Sequence, residues 1–272
     1  MRIGRPTERI DFTLWAVMCI LTLMGITTLL LRGSLLNDAK NASPVRHFAE
    51  QEVATSHNDL HLQADISSVH EGILRTALSI VPEHCVTSLN HLHVRYDNPK
   101  RRGLAGATTI ILDGNQPDQE FRALFFHEFG HVADLGCIEG TDDHPMSIFK
   151  DGNMKMYAND ASIAFYEISW EDEFTKTQGA HPEDFVSGYA QTDAFEDFAE
   201  TFAYFILQQE RFKERARENS ALQKKYSWMR RHLFESSPQV AQGLSTERDG
   251  IPWDTTKLPY IWNPAILAQH KK

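Results

Sequence analysis

One predicted helix, over residues 118–135, constrains the fold of this 272-residue chain more than any other segment. Its apolar residues surround it almost completely, and they are Phe121, Leu124, Phe125, Phe126, Phe129 and Val132. A helix that is apolar on nearly all sides is buried inside a protein. The same helix contains His127, Glu128 and His131, and burying polar groups without partners is costly. These three side chains therefore need partners from elsewhere in the chain.

The spacing of the two histidines indicates a metal site. Residues four apart on a helix lie on one face, so the imidazoles of His127 and His131 can share one tetrahedral cation. In zinc peptidases with the pattern His-Glu-x-x-His, the glutamate takes a proton from the water that zinc activates, and we expect this role for Glu128. Gly130 would let another element pack closely against the helix. The alternative is an ordinary buried helix that contains this pentapeptide by coincidence.

A second predicted helix, over residues 192–216, supplies a candidate third ligand. Glu196 and Glu200 are four apart and share one face of it. We interpret Glu196 as the third ligand and Glu200 as an outer carboxylate that accepts the free N–H of a ligand histidine. With His127 and His131, Glu196 would leave a fourth position for water, as in catalytic Zn²⁺ sites. The alternative for the two glutamates is a solvated acidic face or an acid-rich helix start.

These residues resemble those of the gluzincin class of zinc metallopeptidases. The closer similarity is to the lethal-factor-like and Pro-Pro-endopeptidase group, in which a tyrosine precedes the ligand glutamate by seven residues. Tyr189 stands seven before Glu196, Phe198-Ala199-Glu200 follows, and the block DFVSGYAQTDAFEDFAETF resembles that of uncharacterised bacterial zinc peptidases. The resemblance covers residues 126–136 and 184–205. It implies that Tyr189 donates its phenolic proton to the oxyanion of the tetrahedral intermediate; the alternative is a packed loop aromatic.

Zinc peptidases of this kind hold a peptide substrate as an added strand along a sheet edge. The segment RRGLAGATTIILDG is the candidate edge, because Gly103 and Gly106 permit close approach of another backbone. We therefore expect Gly106, Ala107 and Thr108 to bind substrate. The alternative is a plain core strand that follows a flexible turn.

Hydrophobic periodicity predicts the remaining elements. Strands are expected over residues 91–97 and 107–113, and helices over residues 69–80 and 221–234. The proline-containing segment from residue 235 onward is expected to be loop-like, although it can still pack through Trp253, Tyr260 and Trp262.

Two further expectations concern the ends of the predicted 118–135 helix. Pro117 and Asp118 suit its first turn, and Gly136 is typical of a left-handed helix end. Asp134, three residues after His131, either orients a histidine or is a surface acid at the helix end.

An uncharged stretch of 20 residues, 12–31, has the length of a helix that crosses a bilayer. A cleaved secretory signal and a buried core helix are the alternatives, but no small-x-small cleavage site adjoins the apolar run. Basic residues flank both ends of this stretch, so the positive charges say little about its orientation. The short basic N-terminus favours export of the following domain only weakly.

Cys85 and Cys137 either form a disulfide outside the cytoplasm or are two unrelated buried thiols.

These features divide the chain into four regions. They are a cytoplasmic stub with a transmembrane anchor (1–32), a linker (33–60), a zinc metallopeptidase domain (61–235) and a C-terminal tail (236–272). The expected fold class is α+β. We expect a zincin-like domain in which a small twisted sheet covers the His-Glu-x-x-His helix.

The net charge of −10 argues against a nucleic-acid partner, which would need a basic face. The sequence thus predicts a zinc-dependent endopeptidase that is anchored in a membrane, faces an extracytoplasmic compartment and acts on peptide or protein substrates. Two alternatives stay open. One is a catalytically silent peptide-binding or regulatory protein of the same fold, and the other is an amidase that acts on cell-wall peptides.

Overall fold

The structure is a computed structural model that describes residues 61–62, 65–235, 239–244 and 250–264. In these ranges no helix combines the length and the apolar character needed to cross a bilayer. The predicted span, residues 12–31, and the predicted linker after it lie outside the described residues.

A four-stranded mixed sheet forms one layer of the domain. Its strands are β1 (His61–Leu62), β2 (His91–Arg95), β3 (Gly103–Ala105) and β4 (Thr109–Asp113). The spatial order is β1-β2-β4-β3, in which β1, β2 and β4 run parallel and β3 runs antiparallel to β4 at the edge. Alternate side chains of β2 and β4 are buried, as expected for strands with one face on a core, and these are Leu92, Val94, Ile110 and Leu112.

Seven α-helices occur in the described ranges. They are α1 (Ser68–Leu78), α2 (Glu83–Val86), α3 (Asp118–Val132), α4 (Ile163–Tyr166), α5 (Ala194–Leu207), α6 (Gln209–Glu218) and α7 (Ser220–His232). Side-chain caps define where three of these helices begin, since Ser67, Asp193 and Asn219 each accept a backbone N–H from the first turn. The helix predicted over residues 192–216 is interrupted, because the chain turns at Gln208 between α5 and α6.

Helix α3 is the centre of the domain, as the apolar pattern predicts. The sheet packs on one side of it and α5 on another. The side chains of Phe121, Phe125, Phe126 and Phe129 are completely buried. His127 and Glu128 of this helix are consequently buried, at 5% exposure each, whereas Asp118 and Gln119 in its first turn are exposed.

The end of α3 differs from the predicted left-handed stop. The helix continues as a π-helical turn, Ala133–Cys137, and Gly136 does not have a positive φ. The expectation for Gly136 is therefore wrong, and its small size instead serves close packing: a Cβ there would lie 2.1 Å from the carbonyl oxygen of Ala107. Cys137 forms a disulfide with Cys85, which joins α2 to this turn.

The expectation of a loop-like C-terminal segment is wrong for part of it. Strands β5 (Ala241–Gly243) and β6 (Tyr260–Trp262) form an antiparallel pair, and a 3-10 turn spans Thr255–Lys257. Several contacts hold this segment on α3. Among them, the Tyr260 hydroxyl donates to the Gln119 carbonyl at 2.8 Å, and the Trp262 ring packs against Phe126. The described part of region 236–272 thus belongs to the same packed domain.

Candidate metal centre

Close contact between α3 and α5 brings the two halves of the predicted site together. A Cβ on Gly130 would lie only 2.8 Å from the Cα of Ala199, so a glycine is needed at this crossing. Ala199 immediately precedes Glu200, and Gly130 immediately precedes His131. The predicted close packing at Gly130 is confirmed, and it lets the glutamates of α5 reach the histidines of α3.

His127, His131 and Glu196 converge on one point. Their candidate ligand atoms all lie within 4.8 Å of one another. The Glu196 Oε2 atom is 3.2 Å from Nε2 of His127 and 3.6 Å from Nε2 of His131. Ligand atoms bound to one tetrahedral zinc at about 2.0–2.1 Å lie about 3.3 Å apart. The observed spacing therefore matches a shared zinc ion.

The two oxygens of Glu196 are used differently. Oε1 accepts a hydrogen bond from the Tyr189 hydroxyl at 2.9 Å. Oε2 is buried and has no hydrogen-bond partner among the described residues. A buried carboxylate oxygen without a donor is costly, and a cation between it and the two imidazoles would satisfy it. The residues present therefore fit Zn²⁺.

Glu200 fixes the orientation of His127. Its Oε1 atom lies 2.9 Å from Nδ1 of His127 and its Oε2 atom accepts hydrogen bonds from the Ser187 hydroxyl and, at 2.8 Å, from the Thr255 backbone N–H. A carboxylate at Nδ1 favours the tautomer that carries its proton there. The Nε2 atom of His127 then faces Oε2 of Glu196 at 3.2 Å, on the side of the ring where a shared cation would bind.

The electrostatics of the site favour a cation. Burial by itself lowers the pKa of His127, but the nearby Glu196 and Glu200 carboxylates outweigh burial and raise the pKa well above its usual value. Likewise, burial raises the pKa of Glu196, but His127 and His131 outweigh it and hold the pKa far below the usual range. Each group thus stabilises an opposite charge in its partners, so the two imidazoles and the Glu196 carboxylate form one electrostatically coupled cluster.

Glu128 lies beside the metal ligands, against the edge strand. It is 5% exposed, and burial raises the pKa of its carboxyl group. A Cβ on Gly103 of β3 would lie 2.0 Å from Oε1 of Glu128, so the strand can approach this carboxylate only because residue 103 is glycine. A carboxyl group with a raised pKa, close to a candidate metal site, suits a general base.

All six residues predicted for metal binding and catalysis line one cavity of about 590 Å³, and they are His127, Glu128, His131, Tyr189, Glu196 and Glu200. The edge strand lines the same cavity with Gly103, Leu104 and Ala105. Gly106, Ala107 and Thr108, which the sequence suggests for substrate binding, are not among the residues that line it. They form the connection between β3 and β4, and Thr108 uses its carbonyl to bind the start of β2.

Asp134 is neither a surface acid nor a partner of a histidine. It is completely buried, and both of its carboxylate oxygens are within 2.7 Å of the Tyr166 hydroxyl. Burial raises the pKa of Asp134 to about 8. Both sequence interpretations of Asp134 are therefore wrong, because an acid at the end of a predicted helix gives no sign of the element that covers it.

Several residues of the site have no signature in the sequence. Ser187 and Thr255 bind Glu200, and Arg102 lines the cavity while binding Glu120 and Asp254. Each acts through hydrogen bonds or ion pairs to residues at no regular spacing in the sequence, so no periodicity marks it.

One other group of potential ligands occurs in the described ranges. His84 lies near the sulfurs of Cys85 and Cys137. The two sulfurs are joined in the disulfide, so this group cannot bind a metal as thiolates do.

No protein-family model, curated protein or solved structure matches this chain. The interpretation of the site therefore depends on its own geometry and chemistry.

Proposed function

We propose that this chain is a zinc-dependent endopeptidase whose metal ligands are His127, His131 and Glu196. One observation carries the proposal. A buried carboxylate oxygen of Glu196 faces two imidazole nitrogens at distances of 3.2 and 3.6 Å without a hydrogen-bond donor. Two nitrogens, one oxygen and a position for water are the catalytic zinc arrangement.

The surrounding residues have roles that suit peptide-bond hydrolysis. Zinc, when bound, supplies Lewis acidity at this position. Glu128 takes a proton from the attacking water and then delivers it to the leaving nitrogen. Tyr189 donates its hydroxyl to the oxygen of the scissile carbonyl as negative charge develops there. Because this hydroxyl binds Glu196 in the structure, it must turn towards substrate to act.

The free edge of β3 supports binding of an extended peptide. Gly106 donates its N–H to β4 at 3.1 Å, and Arg102 accepts an N–H from β4 at 2.8 Å. Alternate residues of an antiparallel strand direct their backbone groups to opposite sides. The N–H and C=O groups of Gly103 and Ala105 therefore point away from β4, towards a position that a substrate strand can occupy.

A membrane anchor and an extracytoplasmic location complete the proposal. Residues 12–31 have the length and composition of a membrane-spanning helix. The disulfide between Cys85 and Cys137 suits an oxidising compartment. Protease protection of the domain in intact cells, compared with permeabilised cells, tests this location.

Metal analysis of the full-length protein tests the proposed centre. We expect about one zinc per chain, and almost none in Glu196→Ala. A wild-type protein that purifies without zinc, and does not bind added zinc, contradicts the proposal.

The variant Glu128→Gln tests the enzymatic role separately from metal binding. It should retain zinc and lose about 10²–10⁴-fold in peptide hydrolysis, the usual contribution of a general base. Equal function of wild type and Glu128→Gln in cells would instead indicate a catalytically silent binding protein.

Parallel assays of the wild-type protein on an unfolded protein and on cell-wall peptides separate an endopeptidase from an amidase.

A further inference from the structure

A short segment of the C-terminal region lies over the candidate metal centre. We call residues 252–256 the strap. Thr255 and Thr256 are 0% and 3% exposed, whereas Trp253 at the cavity rim is 72% exposed. The strap therefore has an inner side in the protein core and an outer side at the mouth of the cavity.

The inner side of the strap binds the carboxylate that orients a proposed zinc ligand. The Thr255 backbone N–H donates to Oε2 of Glu200 at 2.8 Å, while Oε1 of Glu200 holds Nδ1 of His127 at 2.9 Å. Glu200 is completely buried. A continuous chain of hydrogen bonds thus runs from the strap through Glu200 to His127.

The strap also holds the backbone that carries Tyr189. The Gly188 N–H donates to the Pro252 carbonyl at 2.7 Å, and the Tyr189 N–H donates to the Trp253 carbonyl at 2.7 Å. The Trp253 ring lies against Gly188, where a Cβ would be 2.5 Å from it. The strap therefore contacts the elements that position both a metal ligand and the proposed oxyanion donor.

Arg102 fastens the strap to the rest of the domain. Its guanidinium donates to Glu120 of α3 at 2.7 Å, to the Thr256 hydroxyl at 2.9 Å, and to Asp254. Arg102 adjoins Gly103 of the edge strand, so one side chain connects the strap, α3 and the proposed substrate-binding edge.

We infer that the strap is a positioning element of the metal centre, and that the Thr255 N–H holds Glu200, and through it His127, in the orientation that binds zinc. This inference rests on the proposed zinc function. Because the interaction uses a backbone N–H, replacement of residue 255 by proline is the most direct way to remove it.

Thr255→Pro is well suited as a test. Thr255 is the first residue of a 3-10 turn, a position where proline is accommodated, and Asp254 has φ −146° and ψ 121°, which suits a residue before proline. Thr255→Val is the matched control, because it keeps the N–H and removes only a hydroxyl that has no hydrogen-bond partner. Zinc affinity is measured by competition with a chelating dye, and folding of the metal-free protein by its thermal unfolding midpoint.

We expect Thr255→Pro to bind zinc about 10–100-fold more weakly than wild type, the usual effect of removing an outer partner. Thr255→Val should retain the wild-type affinity. Equal zinc affinity of Thr255→Pro and Thr255→Val overturns the inference, while zinc-dependent hydrolysis by wild type would leave the proposed function intact. A wild type that binds no zinc overturns both.

Arg102→Met provides a second test that changes no atom in contact with Glu200. It removes the ion pair to Asp254 and the hydrogen bond to the Thr256 hydroxyl, so hydrogen exchange at residues 253–257 should accelerate and zinc affinity should fall. Accelerated exchange with wild-type zinc affinity overturns the inference, even if Thr255→Pro proves too unstable to study.

Discussion

Helix α5 carries two neighbouring acids, the completely buried Asp197 and the partly buried Glu196, and satisfies them in different ways. Asp197 accepts hydrogen bonds from Lys225 at 2.6 Å, from the Trp170 ring N–H at 2.9 Å and from Thr201 at 3.3 Å. Its neighbour Glu196 binds one hydroxyl and leaves its second oxygen without a donor. Both oxygens of Asp197 thus have donors, whereas one oxygen of Glu196 has none, and the proposed metal would complete that oxygen.

The balance of charge around the two acids also differs. Asp197 and Lys225 form a buried pair of opposite charges, both 0% exposed, in which burial raises the pKa of the acid and lowers the pKa of the lysine. Glu196 lies with Glu128 and Glu200 around two imidazoles, where a divalent cation would balance the excess of negative charge. Asp197 already has its counter-ion in Lys225, whereas the proposed zinc would be the counter-ion of the Glu196 cluster.

Removing the lysine from the complete pair should have the largest effect on stability. Lys225→Met leaves a buried carboxylate without its counter-ion, so we expect the free energy of unfolding to fall by about 3–5 kcal/mol. Chemical denaturation of the metal-free protein measures this, and zinc content should stay near that of wild type. The double variant Asp197→Leu/Lys225→Met should recover much of the loss; a single variant as stable as wild type would contradict the comparison.

The corresponding change at Glu196 should act mainly on metal binding. Glu196→Gln replaces an oxygen of the proposed ligand. Loss of an outer partner lowers metal affinity by up to about 100-fold, and loss of a ligand should lower zinc affinity by more than that. The metal-free chain should also lose some stability near neutral pH, because the Glu196 carboxylate and the two imidazoles favour each other's charges; the amide can still accept the Tyr189 hydroxyl, so the fold should persist. Large destabilisation of the metal-free chain with retained zinc binding would show that Glu196 is the structural acid.

A third buried acid, Asp134, extends the comparison to pH. Its pKa of about 8 when folded lies above the usual value for aspartate, so the folded state binds the proton more tightly. The resulting stabilisation is present below about pH 4 and is lost as pH rises through 8, with a slope of at most about 1.4 kcal/mol per pH unit. Asp134→Asn should flatten the unfolding free energy over this range, and the exposed Asp142→Asn should leave the profile unchanged.

Gly130→Ala should give the smallest effect of the four. The added Cβ would lie 2.8 Å from the Ala199 Cα, and overpacking of this kind costs about 1–3 kcal/mol. Zinc affinity should also decrease, because α3 and α5 must separate. Gly72→Ala on α1 is the matched control: its Cβ meets nothing within 4 Å, so a gain of up to about 1 kcal/mol is expected. Equal effects of the two substitutions would contradict close packing at Gly130.

Much of the site was predictable because helical periodicity acts within single elements. The spacing of His127 and His131 and that of Glu196 and Glu200 each place two side chains on one face. The aromatic surroundings of both segments indicate burial, and α3 and α5 are indeed buried helices. The identity of the metal and the hydrolytic activity stay predictions.

The fold was less predictable where the outcome depends on which elements meet. Asp134 is buried because Tyr166 covers it, and residues 241–243 and 260–262 are strands because they pair with each other. The choice of Gly106, Ala107 and Thr108 for substrate binding rested on the glycines flanking a single predicted strand. The structure divides that segment into two antiparallel strands, and the first of them lines the cavity.

The sequence by itself determined which side chains share a helix face and which two helices are buried, and it singled out the side chains proposed to bind a cation. Only the tertiary structure decided that Arg102 and Thr255 complete the site. The physical reason is that Arg102 reaches Asp254 across 152 positions, and Thr255 contributes a backbone N–H that every residue except proline possesses. A group common to all residues leaves no trace in a sequence, and its role appears only where the fold places it.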